Sequence, residues 1–406
     1  MEIKVFAGTK LGHVPTKEEF DKIGGLTAGV CYLPDTIAKL FSEADENTKK
    51  RESRIKDSGH KSPFDHPTVN LELVDIPKIL AMILNNESMY TTSEKSARYR
   101  RMALPDDENK AYEKWLPIFA QEIENYRNSH KGSEKWLTES KIGKLAQENA
   151  RYLTSVFTPT SMVYSLSYRQ LNVIYSKISR EIDFLAGKQD IFSKKLRDSL
   201  VEFASKLESL GYIDEKLALN DKNLALKLFN RTGRQIKEQF GECYTITYKG
   251  SFAQLAQAQR HRTLDYAILA EKNGQYFEDV LANDSDDDFY LPPILKGSKY
   301  QAQWLADCKA LAEKFPQGML VPVLERGSIE NFILKSKERN CTAAQLEIDN
   351  QTTASKKKIY SRLSEADPEL AAEIKPYMAG SRCTYPDFEC PSPCAFAEGV
   401  KGERII

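Results

Sequence analysis

The chain has 406 residues, 41% of them apolar, and 58 Lys and Arg balance 58 Asp and Glu. This length allows two or three domains, each with its own core. The zero net charge excludes a general nucleic-acid or anionic-membrane binder, which would carry a basic excess, so any anion site is local.

No apolar run reaches the length of a membrane span, and the start, Met1-Glu2-Ile3-Lys4-Val5, lacks the apolar core of a signal peptide. A soluble, cytoplasmic protein is expected. Seven cysteines scattered over the chain make no disulfide framework.

Ile3 and Val5 alternate with charged residues as in a half-buried strand, and 36–56 reads as a polar helix. Next comes Ser58-Gly59-His60-Lys61-Ser62-Pro63-Phe64-Asp65-His66. Taken alone, its spacing suits a turn capped by Ser62 and Asp65 better than a zinc site. Residues 68–74 alternate as a strand, and Asp75 is expected to cap a helix with Pro77 in its first turn. In Ser93 to Arg101 a small hydroxyl, Ser96, stands two residues before Arg98, a pairing suited to a phosphate or a pyrimidine edge.

Helical periodicity runs through 109–126 and 138–156, with Pro159 as a stop. A third helix is expected over 161–186, carrying Arg169, Gln170 and Asn172 among Met162, Val163, Leu166, Leu171 and Ile174. Polar groups inside such a stripe are paired or functional, because an unpaired buried guanidinium is very costly. A charged amphipathic helix follows over 190–210, and the polar stretch 211–241 holds the expected domain boundary.

Beyond it a strand at 244–248 leads into a helix that enters Gln257-Ala258-Gln259-Arg260-His261-Arg262. Two guanidinium groups, an imidazole and two side-chain amides within six residues are suited to holding an anion, though an Arg-His-Arg triplet by itself more often marks a solvated face. The order of elements repeats that of the first half, so internal duplication is the economical reading. The acidic run 284–288 lacks the spaced ligands of a calcium loop. A helix over 300–315 and another opening at 344–348 complete the expectation, with Lys356, Lys357 and Lys358 as a solvated face. Cys383, Cys390 and Cys394 near the end could bind zinc or an iron-sulfur cluster with a fourth ligand such as Cys31 or Cys341, or be free thiols or a tail disulfide.

Several of these motifs together resemble the flavin-dependent thymidylate synthases. Gly59 to His66 is similar to that family's Gly-His-x-(Ser/Thr)-Pro-x-(Glu/Asp)-His signature, and Ser96-x-Arg98-Tyr99 follows at the family's interval. Arg151, and Arg169 eighteen residues later, fall where the family has a uracil-contacting and a flavin-contacting arginine. Where the family has Arg-His-Arg, however, the first half has Asn85-Asn86-Glu87. The second half supplies that motif as Gln257-x-x-Arg260-His261-Arg262, and Arg339 with Gln345-Leu346-Glu347-Ile348 resembles the family's late arginine and Ala-Gln-Trp-Glu-Ile segment. The second half in turn lacks Ser-x-Arg-Tyr and the His-x-Ser signature, and Ser167 stands where the family has asparagine.

The resemblance implies an α/β (α+β) protein of two fused thymidylate-synthase-complementing-like domains, each a small, mainly antiparallel sheet packed with long helices. The expected divisions are 1–215, 216–380 and a Cys-containing tail, 381–406. It implies FAD-dependent methylation of dUMP to dTMP with NADPH and methylenetetrahydrofolate as co-substrates, at a site assembled between the two copies. A related pyrimidine C5 hydroxymethylase, or a degenerate flavin- and nucleotide-binding protein, is the alternative. By carry-over, Gln257, Arg260, Glu94, Ser96, Ala97, Arg98, Arg151 and Arg339 hold the nucleotide, with Arg151, Arg339 and Ser96 closest to the chemistry. His60, Ser62, Asp65, His261, Arg262, Arg169 and Asn172 hold FAD. The family is tetrameric, so a fused chain is expected to form a homodimer that acts as a pseudo-tetramer, with no nucleic-acid or membrane partner.

Overall fold

The computed structural model describes residues 1–7, 12–58, 60–96, 104–218, 226–230, 243–261, 263–269, 288–342 and 344–386. Glu2–Ala7 is strand β1. Helix α1 (Lys17–Tyr32) starts from a capping box in which Thr16 and Glu19 satisfy each other's backbone N–H. The single helix expected over 36–56 is two, α2 (Ile37–Leu40) and α3 (Asp45–Asp57). Ser42 ends the first, its N–H and hydroxyl both donating to the Lys39 carbonyl.

Strand β2 (Thr68–Pro77) outlasts the expected start of the next helix. Asp75 has φ of 54° at a register shift against the neighbouring strand, so it forms a bulge instead of a cap. Helix α4 (Lys78–Asn86) and strand β3 (Tyr90–Glu94) follow. Helix α5 (Asp106–Ser129) gathers three acids in its first turn, where the helix dipole favours them. Helix α6 (Glu139–Ala150) is capped by Thr138 and tightens into a 3-10 turn, Arg151–Leu153.

The helix expected over 161–186 divides into strand β4 (Pro159–Ser167) and helix α7 (Tyr168–Leu185). Thr160, Met162, Tyr164 and Leu166 are buried in strict alternation, a period of two that a window spanning both elements conceals. Ser167 makes the switch, its hydroxyl accepting the Gln170 N–H at 3.0 Å. Then come α8 (Ile191–Ser209), capped by Asp190, β5 (Phe229–Asn230), β6 (Cys243–Ser251), α9 (Phe252–Ala258) and β7 (Asp265–Leu269). After them lie α10 (Gln301–Ala310), β8 (Leu320–Ser328), α11 (Ile329–Arg339), α12 (Leu346–Ala366) and α13 (Pro368–Ile374). None of these helices is long and apolar enough to cross a membrane. Lys356, expected on a solvated face, is 1% exposed and donates to the Gly380 carbonyl at 3.0 Å.

The chain forms two compact units, Met1–Lys95 with Pro159–Lys227 and Ser96–Thr158 with Leu228–Ile406. Residues 96–158, placed in the first domain by the sequence division, therefore pack within the second unit. In the first unit the sheet order is β1-β2-β4-β3, all antiparallel. An ion cluster joins α1, α3 and the segment after α8: Lys56, 6% exposed, meets Asp21 at 2.6 Å, Glu52 at 2.5 Å and Asp214 at 2.8 Å. Burial alone would raise the Asp214 carboxyl, but hydrogen bonds from Lys56 and Lys17 outweigh it and hold it down at about 2.

In the second unit the order is β5-β7-β8-β6, with β6 and β7 antiparallel to β8. Trp115 of α5 and Trp304 of α10 meet edge to face at 4.9 Å, and the Trp115 indole donates to Asp307 at 2.7 Å. Each unit thus contains the same motif: strand, helix, strand, then a late strand that pairs between those two and leads into a helix. The central strands end in matching caps, Ser167 opposite Thr68 and Ser328 opposite Cys243, each accepting the N–H three residues on.

Candidate functional site

In the first unit, a 3-10 turn, Ser62–Asp65, leads into β2 and leaves His60 and Asp65 half-buried and Ser62 exposed. Asp65 accepts from Ser167 Oγ at 2.8 Å and from Arg169 Nη1 at 2.8 Å, so the cap that starts α7 also fixes the arginine. Tyr32 OH lies 2.5 Å from His60 Nδ1. Arg169 Nε is buried and has no hydrogen-bond partner among the described residues.

Two other first-unit candidates are committed to the chain. Asn172 is 1% exposed; its amide donates to the Tyr168 and Tyr212 carbonyls and its oxygen accepts the Asp214 N–H at 2.7 Å. That clamp holds the segment after α8. The Glu94 carboxylate is buried against Lys78 and accepts from Asn85 at 3.3 Å. At the end of α4, where the family's Arg-His-Arg would stand, buried Glu87 pairs with Lys177 and accepts the Lys227 N–H at 2.9 Å.

The second unit gathers a different set. Arg151, 7% exposed at the end of α6, donates to Oε1 of Gln345, which lies 194 residues later in sequence. The same oxygen accepts from Nε2 of Gln257 on α9. Gln345 Nε2 donates to Tyr152 OH, which donates to Glu347 at 2.8 Å. Glu347 also accepts the Ser251 N–H at 2.8 Å and its hydroxyl at 2.5 Å. Burial pushes the Glu347 carboxyl up, while the Ser251 and Tyr152 donors and the Arg151 charge work against that.

Beside this chain, Arg339 Nε donates to His261 Nε2 at 2.7 Å, and Arg339 Nη2 reaches the Gln257 carbonyl at 3.4 Å. An arginine N–H only donates, so Nε2 is bare and a neutral His261 carries its proton on Nδ1. Arg260 is exposed in the turn after α9, not on the helix itself, and Ser96 is half-buried. Ala97, Arg98, Arg262, Cys390 and Cys394 lie outside the described residues. Cys383 is exposed, and among the described residues no group of three or more His, Cys, Asp or Glu is placed to hold a metal.

Residues 16–181 match the family described as "Thymidylate synthase complementing protein". The resemblance read from the motifs stands for that segment. A search of curated proteins finds no match. Among solved structures, the flavin-dependent thymidylate synthase ThyX of Helicobacter pylori complexed with FAD and dUMP is 18% identical, with a TM-score of 0.28, 52% of this chain and 99% of that chain being covered. A UMP/dUMP methylase, PolB, from Streptomyces cacaoi bound with 5-Br dUMP is 17% identical, with a TM-score of 0.27 and coverages of 43% and 76%.

The thymidylate synthase complementing match ends at residue 181, so it includes Arg151 but none of the second-half residues that surround it. The spacing from Arg169 places Arg151 with the first copy, whereas nothing in the sequence singles out Tyr152. A tyrosine directly after that arginine was the only available signal, and tyrosines are too common at helix ends to decide anything.

The imidazole has a testable electrostatic consequence. Burial, then the charges of Arg339 and Lys335, hold His261 down at about 2 against an ordinary 6.5. Exposed Glu338, 3.8 Å from Nε2, opposes this, and Glu325 pairs with Lys335. Between these two values the unfolded chain binds a proton that the folded chain does not. Stability is therefore complete above about pH 6.5 and falls as pH drops below it. The urea midpoint followed by tryptophan fluorescence is expected to decline from pH 7 to 5, before most carboxylates titrate, and His261→Gln is expected to flatten that decline. Parallel declines in both proteins would rule it out.

Proposed function

We propose that the protein is a flavin-dependent methylase that converts dUMP to dTMP, using FAD with NADPH and methylenetetrahydrofolate as co-substrates. The observation that carries this reading is the convergence of Arg151, Gln257, Gln345, His261 and Arg339 in the second unit, because it joins an arginine of the matched segment to the Gln257 and Arg-His motif found only later in the chain. Two guanidinium groups and a carboxamide beside a neutral imidazole suit a ligand with one anionic end and a ring edge of mixed donors and acceptors. The recurring three-stranded core, β2-β4-β3 in the first unit and β6-β8-β7 in the second, supports reading the chain as a tandem duplication whose second copy has kept the nucleotide motif.

His60, Ser62, Asp65 and Arg169 would contact the flavin. The buried, unpartnered Nε of Arg169 fits a group with acceptor oxygens. When bound, the flavin supplies the hydride. Arg169 is held in place by Asp65, which in turn is fixed by Ser167. Arg151 and Arg339 place fixed positive charge where the pyrimidine ring becomes electron-rich, without any reorganisation at the moment of reaction. His261, proton on Nδ1, offers a donor on its side away from Arg339.

The test is mass spectrometry of the nucleotide after incubation with dUMP, methylenetetrahydrofolate, NADPH and FAD. A methyl group in place of one ring hydrogen is the expected product. Recovery of unchanged dUMP from a flavin-loaded protein refutes the reading, and a hydroxymethyl product redirects it to the sister reaction.

A further inference from the structure

We infer that Tyr152 and Glu347 are positioning residues that fix which end of the Gln257 carboxamide faces the ligand, and that through it they set the preference for a uracil over a cytosine ring. The inference rests on the nucleotide reading above and identifies the part of the site that chooses the base.

The direction of each hydrogen bond sets the orientation of the amides, because an amide can be reversed whereas a guanidinium and a carboxylate cannot. At one end Ser251 Oγ already accepts the Gln254 N–H at 3.0 Å, so its own proton goes to Glu347, 2.5 Å away. The Ser251 N–H takes the other carboxylate oxygen at 2.8 Å. The Tyr152 hydroxyl proton also goes to Glu347, at 2.8 Å, so the phenolic oxygen is left as an acceptor. That acceptor draws the NH2 end of Gln345 and turns Gln345 Oε1 the other way. At the far end Arg151, which can only donate, meets this same Oε1.

Both ends of the relay therefore impose one orientation on Gln345. Gln257 must then present its NH2 to Gln345 Oε1, since the reverse would set two carbonyl oxygens against each other. Its own Oε1 is left over: Gln257 is 6% exposed, and this oxygen has no hydrogen-bond partner among the described residues. A buried acceptor without a donor is costly, and a ligand N–H relieves it.

Uracil offers an N3–H, which pairs with this fixed acceptor. Cytosine offers a bare N3 lone pair instead, which meets that acceptor oxygen with the wrong polarity. Leaving the Gln257 oxygen unpaired is expected to give a preference for the uracil ring of about tenfold to a hundredfold. Cutting the relay frees the amides to turn, and the preference shrinks.

The experiment is competition binding of dUMP, dCMP and 3-methyl-dUMP to the flavin-loaded full chain and to Tyr152→Phe and Glu347→Gln. In the unaltered protein dUMP is expected to bind at least about tenfold more tightly than either analogue. In the variants the ratio of dUMP to dCMP affinity is expected to fall about tenfold, with dUMP weakened more than dCMP. Equal weakening of both nucleotides would mark Tyr152 and Glu347 as merely structural and overturn the inference. Equal affinity of the unaltered protein for dUMP and 3-methyl-dUMP overturns it whether or not the variants fold. Binding of none of the three by the unaltered protein defeats the nucleotide reading itself.

Discussion

Arg151→Ala is expected to lower kcat/KM for dUMP by about a hundredfold to a thousandfold, the loss typical of removing one preorganised donor from developing charge. The guanidinium is buried, is anchored on Gln345 Oε1 and is tied through that oxygen to Gln257. Its charge is therefore held at a set position in a water-poor site, where it acts far more strongly than a solvated arginine would. Arg151→Lys keeps the charge but loses the planar fork, so it is expected to recover only part of the loss. Steady-state kinetics paired with thermal melting makes the check. A variant that melts normally and stays within about threefold of the unaltered kcat/KM would remove Arg151 from the chemistry.

The largest expected effect on folding lies elsewhere in the second unit. Glu325 of β8 and Lys335 of α11 are both fully buried and 2.7 Å apart, and Glu325 also accepts from Tyr244 at 2.8 Å and Tyr248 at 3.1 Å. Burial pushes the Lys335 ammonium down while Glu325 opposes it. Lys335→Ala leaves a carboxylate in the core with only hydroxyl donors, and is expected to cost about 3–5 kcal/mol. The double change Glu325→Leu with Lys335→Met removes both charges together and is expected to cost far less than the single change. Urea unfolding of the three proteins decides it. An unchanged midpoint for Lys335→Ala would mean that water reaches the pair.

Local chemistry was readable without coordinates wherever it depends on neighbours in the chain. The helices expected from residues 138 and 190 do start there, and Val69, Leu71 and Leu73 are buried on one face of their strand. Periodicity failed over 161–186 because a strand and a helix share one apolar run with no turn between them, Ser167 serving as both the strand's last residue and the helix cap. It failed at Lys356 because a lysine next to two others reads as solvated, whereas its ammonium is drawn in by the Gly380 carbonyl.

By itself, then, the sequence determined the residue types of a candidate anion site and the first-half signature that lies within the family match. Tertiary structure alone decided that Arg151 joins Gln257 and Gln345, that Glu87 and Lys177 pair at the end of α4, and that Tyr152 and Glu347 orient the amides. The reason is physical: periodicity and capping are set by interactions a few residues long. The partners of a buried guanidinium are set by which side chains the closed core leaves within hydrogen-bond reach, here across 194 residues.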